Sequence, residues 1–186
     1  SRDNTTRVWN ADVNYNQRIF TTHTDAVWDV AFSPDGKSLV TGSADPNDHD
    51  YKIWDLHTGR QTGSLAGNLS NSSSAYYSNA GKFILTSNGD GSVRIWDAKT
   101  MRQTKTLIPV TKKPNGGAYD AVFSSDGKYV ITGSSNEVAL AALWDAETGE
   151  QLLPLQHPDL VAMGISDGIL CFIQNEPVTA GSTLTP

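Results

Sequence analysis

The sequence predicts an all-β protein built from a repeated unit of four short antiparallel strands. The first observation is a Trp-Asp pair that closes three similar stretches, at Trp54-Asp55, Trp96-Asp97 and Trp144-Asp145. The second is a glycine in a polar turn midway through each stretch, at Gly36, Gly81 and Gly127. The third is the apolar runs of about five residues between these marks, a length typical of strands. The tryptophans are 42 and 48 residues apart. A period of this length, with a glycine turn inside it, indicates a stack of small sheets.

The stretch from His23 to Asp55 is the clearest copy and sets the element order of residues 23–66, which we name blade one. Val30 and Phe32 alternate with smaller neighbours, which is the two-residue period of a strand. Pro34, Asp35 and Gly36 then supply the residue types of a tight turn. The predicted strands of blade one are 26–33, 38–42, 51–55 and 60–65.

This pattern resembles the WD-repeat β-propeller family. The resemblance extends from Thr5 to about Leu155 and includes a partial copy, TTRVWN, whose tryptophan is Trp9. It implies that each repeat is a propeller blade, a sheet of four antiparallel strands stacked beside its neighbours around an axis.

The remaining elements follow in order. Residues 1–22 predict the outer two strands of an incomplete blade, at 6–10 and 18–22. Blade two covers 67–110, with strands at 74–78, 83–87, 92–97 and 103–107, and its first strand has few apolar residues. Blade three covers 111–157, with strands at 118–124, 129–133, 138–145 and 151–155. Residues 158–174 predict the inner two strands of a further blade, at 160–166 and 169–174. Residues 175–186 predict a polar tail.

Both ends of this arrangement leave unpaired sheet edges, which natural proteins avoid. We therefore expect the chain to be part of a larger propeller, opening in the middle of a repeat. Two alternatives stay open. The ends close on each other as a four-bladed ring, or two chains combine as an eight-bladed ring.

Composition narrows the function classes. The net charge of −6 argues against a nucleic-acid partner, since such binding needs clustered basic residues. The one cysteine, Cys171, excludes an intrachain disulfide and favours a reducing compartment, so we expect a cytoplasmic location. No run of 18 apolar residues is present, so we expect no membrane partner.

The resemblance implies a buried network inside each blade, in which a His, a Ser or Thr, an Asp and a Trp satisfy one another's polar groups. We name this set the blade lock. Blade one has all four residues, blade two lacks the His, and blade three retains only the Thr and Trp. The residues are His23, Thr41, Asp48 and Trp54; Thr86, Asp90 and Trp96; Thr132 and Trp144.

Partner contacts are expected on the top face of the propeller. Aligning the glycine turns puts Trp28, Ser73, Tyr119 and Val161 at equivalent positions of the first strands. Aromatic residues concentrate binding energy at interfaces. The alternative for Trp28 is packing between two blades. A longer loop in blade one adds Asp45 and Asp50, where charge could steer a basic partner. We therefore expect Trp28, Asp45, Asp50 and Tyr119 to contact partners.

The sequence contains no motif of a nucleophile elbow, a zinc protease or a phosphate loop. The expected function is thus a non-catalytic scaffold that binds proteins or peptides, with no cofactor and no metal. One alternative is a ligand-binding or hydrolytic site in the central channel, where Asp29 and Asp120 align. The other is a half-ring module that assembles with copies of itself.

Overall fold

The computed structural model describes residues 2–8, 18–43, 50–66, 72–89, 91–107, 118–134, 140–156, 160–166 and 169–174. Within these residues all regular structure is β: sixteen strands in five antiparallel sheets. The all-β fold predicted from the repeat is therefore confirmed. No helix in the described part of the chain is long and apolar enough to cross a membrane.

Three of the sheets have four strands each, in which each strand pairs with the next along the chain. Blade one contains β3 (Val27–Phe32), β4 (Ser38–Ser43), β5 (Tyr51–Asp55) and β6 (Gln61–Leu65). Blade two contains β7 (Ser72–Tyr77), β8 (Phe83–Asn88), β9 (Val93–Asp97) and β10 (Gln103–Leu107). Blade three contains β11 (Ala118–Phe123), β12 (Tyr129–Ser134), β13 (Leu140–Asp145) and β14 (Gln151–Gln156).

The other two sheets have two strands each. β1 (Thr6–Val8) pairs with β2 (Arg18–Phe20) before blade one, and β15 (Leu160–Ser166) pairs with β16 (Ile169–Gln174) after blade three. Every predicted strand thus has a counterpart. The largest shifts are of two residues: β2 ends at Phe20, two residues before the predicted end, and β7 begins two residues before the predicted start. The early start of β7 is possible because backbone pairing between Ser72 and Asn88 does not depend on apolar side chains. The proposed tail lies outside the described residues, and the blade boundaries between strands stay predictions.

In four of the five sheets the first strand contains a β-bulge at the same position. The register shifts between Val27 and Asp29 in β3, and equivalent shifts occur in β7, β11 and β15. The residues inside these shifts are Trp28, Ser73, Tyr119 and Val161. The equivalence predicted from the glycine turns is therefore confirmed. A bulge inserts an extra residue and redirects its side chain relative to the sheet.

Neighbouring sheets pack face to face. Because successive residues of a strand point to opposite faces, one strand contributes side chains to the contacts with both neighbours. On β4, Leu39 packs with Trp54 and Phe20 against the β1–β2 sheet, whereas Val40 packs with residues of blade two. Leu85 and Val93 of blade two pack in turn against blade three. Three clusters of buried side chains thus join four consecutive sheets.

The turns at one end of each blade are formed by residues that the repeat conserves between its copies. Gly36 has a φ of +67°, a conformation in which glycine meets no Cβ clash. The Asp35 carboxylate accepts hydrogen bonds from the Ser33 hydroxyl and the Lys37 amide. The Asp that follows each Trp closes the next turn; the Asp55 carboxylate, for example, accepts bonds from the amide and hydroxyl of Thr58. We call this end of the blades the lower edge and the opposite end the upper edge.

Candidate functional site

A threonine and a tryptophan meet inside each of the three complete blades. The indole N–H of Trp54 donates to the Thr41 hydroxyl at 2.8 Å. The same bond joins Trp96 to Thr86 at 2.9 Å and Trp144 to Thr132 at 3.0 Å. All six side chains are buried. Each bond satisfies an indole donor that would otherwise lose its hydrogen bond to water on burial.

Blade one adds a histidine to this pair. The Nε2 atom of His23 lies 2.7 Å from Oγ1 of Thr41, so one hydroxyl bonds both the imidazole and the Trp54 indole. A hydroxyl has one proton and two lone pairs, so Thr41 can accept the indole proton and also bond Nε2, with the direction of the second bond set by the tautomer of His23. His23 also contacts the Trp54 ring, with 6.4 Å between the ring centroids.

The geometry of this set is that of a structural network. Thr41 is fully buried, so its hydroxyl cannot reach a substrate, and its two bonds occupy it inside the sheet. The remaining lock residues, Asp48 and Asp90, lie outside the described residues. The structure therefore brings together His23, Thr41 and Trp54, and the Thr–Trp pairs of the other two blades. Their role as a lock stays a prediction.

Trp28 lies at the upper edge, in the bulge of β3, and 70% of its surface is exposed. Together with Thr5, Arg7 and Val30 it lines a cleft of about 350 Å³ between β1 and β3. Trp is among the residue types enriched where binding energy concentrates at protein interfaces. The role of Trp28 in partner contact stays a prediction.

Among the other residues predicted to contact partners, only Asp50 has a described side chain. It lies directly before β5 at the upper edge and is partly exposed. Asp45 lies outside the described residues, and only the backbone of Tyr119 is described, in the β11 bulge. Trp28 and Asp50 are therefore the predicted contact residues whose side chains the structure describes.

The innermost strands carry two aspartates that bond to blade two from opposite sides. The carboxylate of Asp29 accepts a hydrogen bond from the Ala75 amide. That of Asp120 accepts a hydrogen bond from the Ala121 amide at 2.9 Å, and the side chains of Tyr76 and Ser74 lie beside it. Burial raises the pKa of both aspartates above the ordinary value, and their mutual repulsion adds to the shift of Asp29.

Tyr76 belongs to the same group, since burial and the nearby Asp120 and Asp29 charges raise its pKa to about 12. It is therefore protonated at neutral pH and acts as a donor. Among the described residues, no group of three His, Cys, Asp or Glu side chains is arranged to hold a metal ion. These aspartates hold the polar first strand of blade two between its neighbours, a role that the sequence did not predict.

Tyr51 was also not predicted as a functional residue. Its hydroxyl is buried and lies 2.9 Å from the carbonyl oxygen of Ser74 and 2.8 Å from that of Ser87. One donor from blade one thus serves two carbonyl groups of blade two. The signal for it in the sequence was weak, because the residue at the equivalent strand position of blade two is Val93.

A groove of about 460 Å³ opens at the lower edge between blades one and two. Ser38, Ile53, Tyr77 and Met101 are among its lining residues. Ser38 is small, whereas Phe83 and Tyr129 stand at the equivalent starts of the second strands in the next two blades. The lining of the groove mixes polar and apolar groups.

Comparison with known proteins identifies the repeat. A family model described as "WD domain, G-beta repeat" matches residues 14–55 and 59–97. The chain is 29% identical to Autophagy-related protein 16 of Arabidopsis thaliana over 136 residues, 72% of this chain and 26% of that protein. It is 29% identical to F-box/WD repeat-containing protein 4 of Mus musculus over 150 residues, 78% of this chain and 36% of that protein. Protein tipD of Dictyostelium discoideum is 23% identical over 98% of this chain and 27% of its own length. The chain thus spans about a quarter to a third of the length of these relatives.

Proposed function

The chain is a WD-repeat protein, and on that basis we propose that it binds a protein or peptide partner at the upper edge of its blades, through Trp28 and Asp50. Proteins with these repeats generally serve as scaffolds for other proteins. The proposal specifies where on the surface the partner binds and which chemical groups the partner carries. It also assigns the chain a non-catalytic role and a cytoplasmic location.

The exposure of Trp28 is the observation that carries the proposal. A tryptophan side chain has only two torsion angles, so little conformational entropy is lost when a partner covers it. Residues of this type account for much of the binding energy at protein interfaces. The adjoining cleft between β1 and β3 provides a concave surface beside the ring.

Charge narrows the partner class. Asp50 lies at the same edge, the sequence adds Asp45 to the same loop, and the chain has a net charge of −6. A partner segment with an apolar residue for Trp28 and Lys or Arg beside it would complement this edge. The charges would mainly raise the association rate, and the indole would mainly slow dissociation.

The test is affinity capture with the wild-type chain, identification of the retained proteins, and measurement of binding with each purified partner. We expect Trp28→Ala to weaken binding about tenfold or more, because loss of a central aromatic contact commonly has that effect. Asp50→Lys should slow association and make binding less sensitive to salt.

Two control variants match these changes at the lower edge. Tyr129→Ala removes a partly exposed aromatic residue, and Glu147→Lys reverses an exposed charge. Both controls should bind as the wild type does. If Trp28→Ala and Asp50→Lys retain every partner with unchanged affinity, the upper-edge site is wrong.

A further inference from the structure

The groove at the lower edge between blades one and two has apolar walls that the fold holds in place. Ile53 is buried and lies at its base, and Tyr77 and Met101 pack against the same buried cluster. The turns of the two blades meet beside it, since a Cβ added at Gly81 would be 3.5 Å from Cδ of Pro34. Its volume of about 460 Å³ is within the range of ligand-binding clefts, about 300–1,000 Å³.

A phenylalanine takes the equivalent space between blades two and three. Phe83 stands where blade one has Ser38, because each pairs with the Asp that follows the tryptophan of its blade. The Phe83 ring packs against the buried cluster of blades two and three. Ser38 has no apolar side chain to offer, and it lines the groove instead. The junction between blades one and two therefore has room for an apolar side chain from another molecule.

Two polar groups in the groove also differ from their equivalents at the next junction. Tyr77 ends β7 as Phe123 ends β11. Lys99 stands where blade three has Glu147, because the amide of each donates to the Asp carboxylate that closes its turn. The groove thus has a hydroxyl and an ammonium group where the next junction has an apolar ring and a carboxylate.

These two groups favour a negatively charged ligand. Burial and the nearby Asp35 charge raise the pKa of Tyr77 to about 12, so at neutral pH its hydroxyl retains its proton and can donate it in a hydrogen bond. The Asp35 carboxylate accepts bonds from the Ser33 hydroxyl and the Lys37 amide, and Nζ of Lys37 lies 3.9 Å from it. Because Asp35 is compensated in this way, Lys99 adds a positive charge to the groove.

The surrounding edge has charge of the same sign. The lower-edge turns of blades one and two carry five basic and three acidic residues, whereas those of blade three carry one basic and four acidic residues. These turns are residues 34–37, 55–60, 79–82 and 97–102 in blades one and two, and residues 125–128 and 145–150 in blade three. The chain as a whole has a net charge of −6, so the basic character is local to the edge beside the groove. Such an edge attracts an acidic partner and disfavours a basic one.

We propose that this groove binds an acidic peptide segment of another protein, with an apolar side chain of that segment against Ile53 and Met101. An Asp or Glu of the same segment would lie beside Tyr77 and Lys99. The apolar side chain would fill the space that Phe83 fills at the next junction, and the carboxylate would fix the orientation of the segment. This site is distinct from the one at the upper edge and selects the opposite charge. The chain could therefore join a basic partner to an acidic one.

The first experiment selects short random peptides, displayed on phage, on the wild-type chain after depletion on Ser38→Phe. We expect the enriched peptides to have an apolar residue next to Asp or Glu. Ser38→Phe places in blade one the residue type that blade two has at the same position, so we expect this variant to fold. Chemical denaturation checks that it does.

The second experiment measures the affinity of an enriched peptide by fluorescence anisotropy. Ser38→Phe and Lys99→Glu should each weaken binding about tenfold or more, because one fills the groove and the other reverses its charge. Tyr77→Phe should weaken it about threefold or more through loss of one hydrogen bond. Lys99 is exposed, so Lys99→Glu tests the site without disturbing the core. Lys128→Glu, at an exposed lysine of blade three, is the matched control and should bind as the wild type does.

The result is separable from the proposed function. Trp28→Ala should bind the peptide as the wild type does, and Ser38→Phe should retain any partner of the upper edge. If no peptide is enriched over the Ser38→Phe chain, or if Lys99→Glu binds with unchanged affinity, the proposal is overturned. Competition by free isocaproate at the concentration at which the peptide binds would assign the groove to small carboxylates, and would overturn it as well.

Discussion

The two junctions between the complete blades have the same backbone arrangement, but a long side chain fills their outer parts from opposite sides. Between blades one and two this side chain comes from the later blade, and between blades two and three it comes from the earlier blade. In the second junction Gly149 lies under the Lys105 side chain, and a Cβ added at Gly149 would be 3.3 Å from Lys105 Cδ. In the first junction Met101 stands where Gly149 stands, and Gly63 stands where Lys105 stands. A Cβ added at Gly63 would be 2.0 Å from the Met101 sulfur.

The comparison shows that each junction has room for one long side chain, which either sheet can supply. The junction before blade one follows the Lys105 arrangement, since a Cβ added at Gly59 would be 3.5 Å from Nη1 of Arg18. The exchange at Met101 carries a backbone cost. Its φ of +58° is a conformation that glycine adopts freely and methionine does not. Packing of the Met101 side chain against the buried cluster of blades one and two offsets that cost.

The largest effect is expected where the two junctions agree, at their tryptophans. Trp96 packs in the cluster between blades one and two, and Trp144 in the cluster between blades two and three. Trp96→Ala and Trp144→Ala should each lower the free energy of unfolding by about 3–5 kcal/mol, because each leaves a cavity and an unpaired threonine hydroxyl. Chemical denaturation measures this directly.

Trp28→Ala serves as the control for that measurement, because the same residue type is exposed there, and its effect should stay within about 0.5 kcal/mol. A loss under about 1 kcal/mol for either buried tryptophan would mean that the Thr–Trp pairs do not hold the blades.

A double-mutant cycle tests the exchange between the junctions. Gly63→Lys alone forces a long side chain into the space of Met101, and Met101→Gly alone removes its packing; each should cost about 1–3 kcal/mol. The double variant recreates the arrangement of Lys105 and Gly149. It should therefore be more stable than the sum of the single effects predicts, by about 0.5–3 kcal/mol.

The control for this cycle combines two substitutions that act on different junctions. Combining Met101→Gly with Lys105→Gly, which acts on the next junction, should give additive effects within about 0.5 kcal/mol. Additivity of Met101→Gly with Gly63→Lys would show that the two positions do not share one space.

The strands and the Thr–Trp contacts could be predicted because they repeat. Each depends on residues at fixed positions of one copy, so three copies confirm one another, and even the weak first strand of blade two pairs as its position requires. The Trp28 bulge was also predictable as an equivalent position, although its exposure was not.

The contacts between blades could not be predicted in the same way. The Tyr51 hydroxyl and the Asp29 carboxylate bond to residues 23 to 46 positions away in the next blade, and such pairs differ from junction to junction. The contact between Met101 and Gly63 did leave a signal in the sequence. Met101 stands where the other copies have glycine, and Gly63 stands where they have a long side chain. Only aligning the copies against each other in pairs would have revealed it.

The smallest effect concerns pH, and it distinguishes the aspartates between blades from those in turns. Burial raises the pKa of Asp29 in the folded chain above its ordinary value of 3.8. The ionised carboxylate therefore costs stability above the folded-state pKa, and that cost disappears as the pH falls through it. Relative to Asp29→Asn, the wild type should gain stability with falling pH, by at most about 1.4 kcal/mol per pH unit.

Asp35→Asn should behave in the opposite sense. Hydrogen bonds from Ser33 and Lys37 lower the pKa of Asp35, so its ionised form stabilises the turn and that contribution is lost as the pH falls through the lowered value. Measuring the free energy of unfolding of both variants from pH 7 to pH 3 separates the two cases. Parallel curves for Asp29→Asn and the wild type would mean that Asp29 is not desolvated between the blades, and that Asp120 and Tyr76 beside it do not form a buried group.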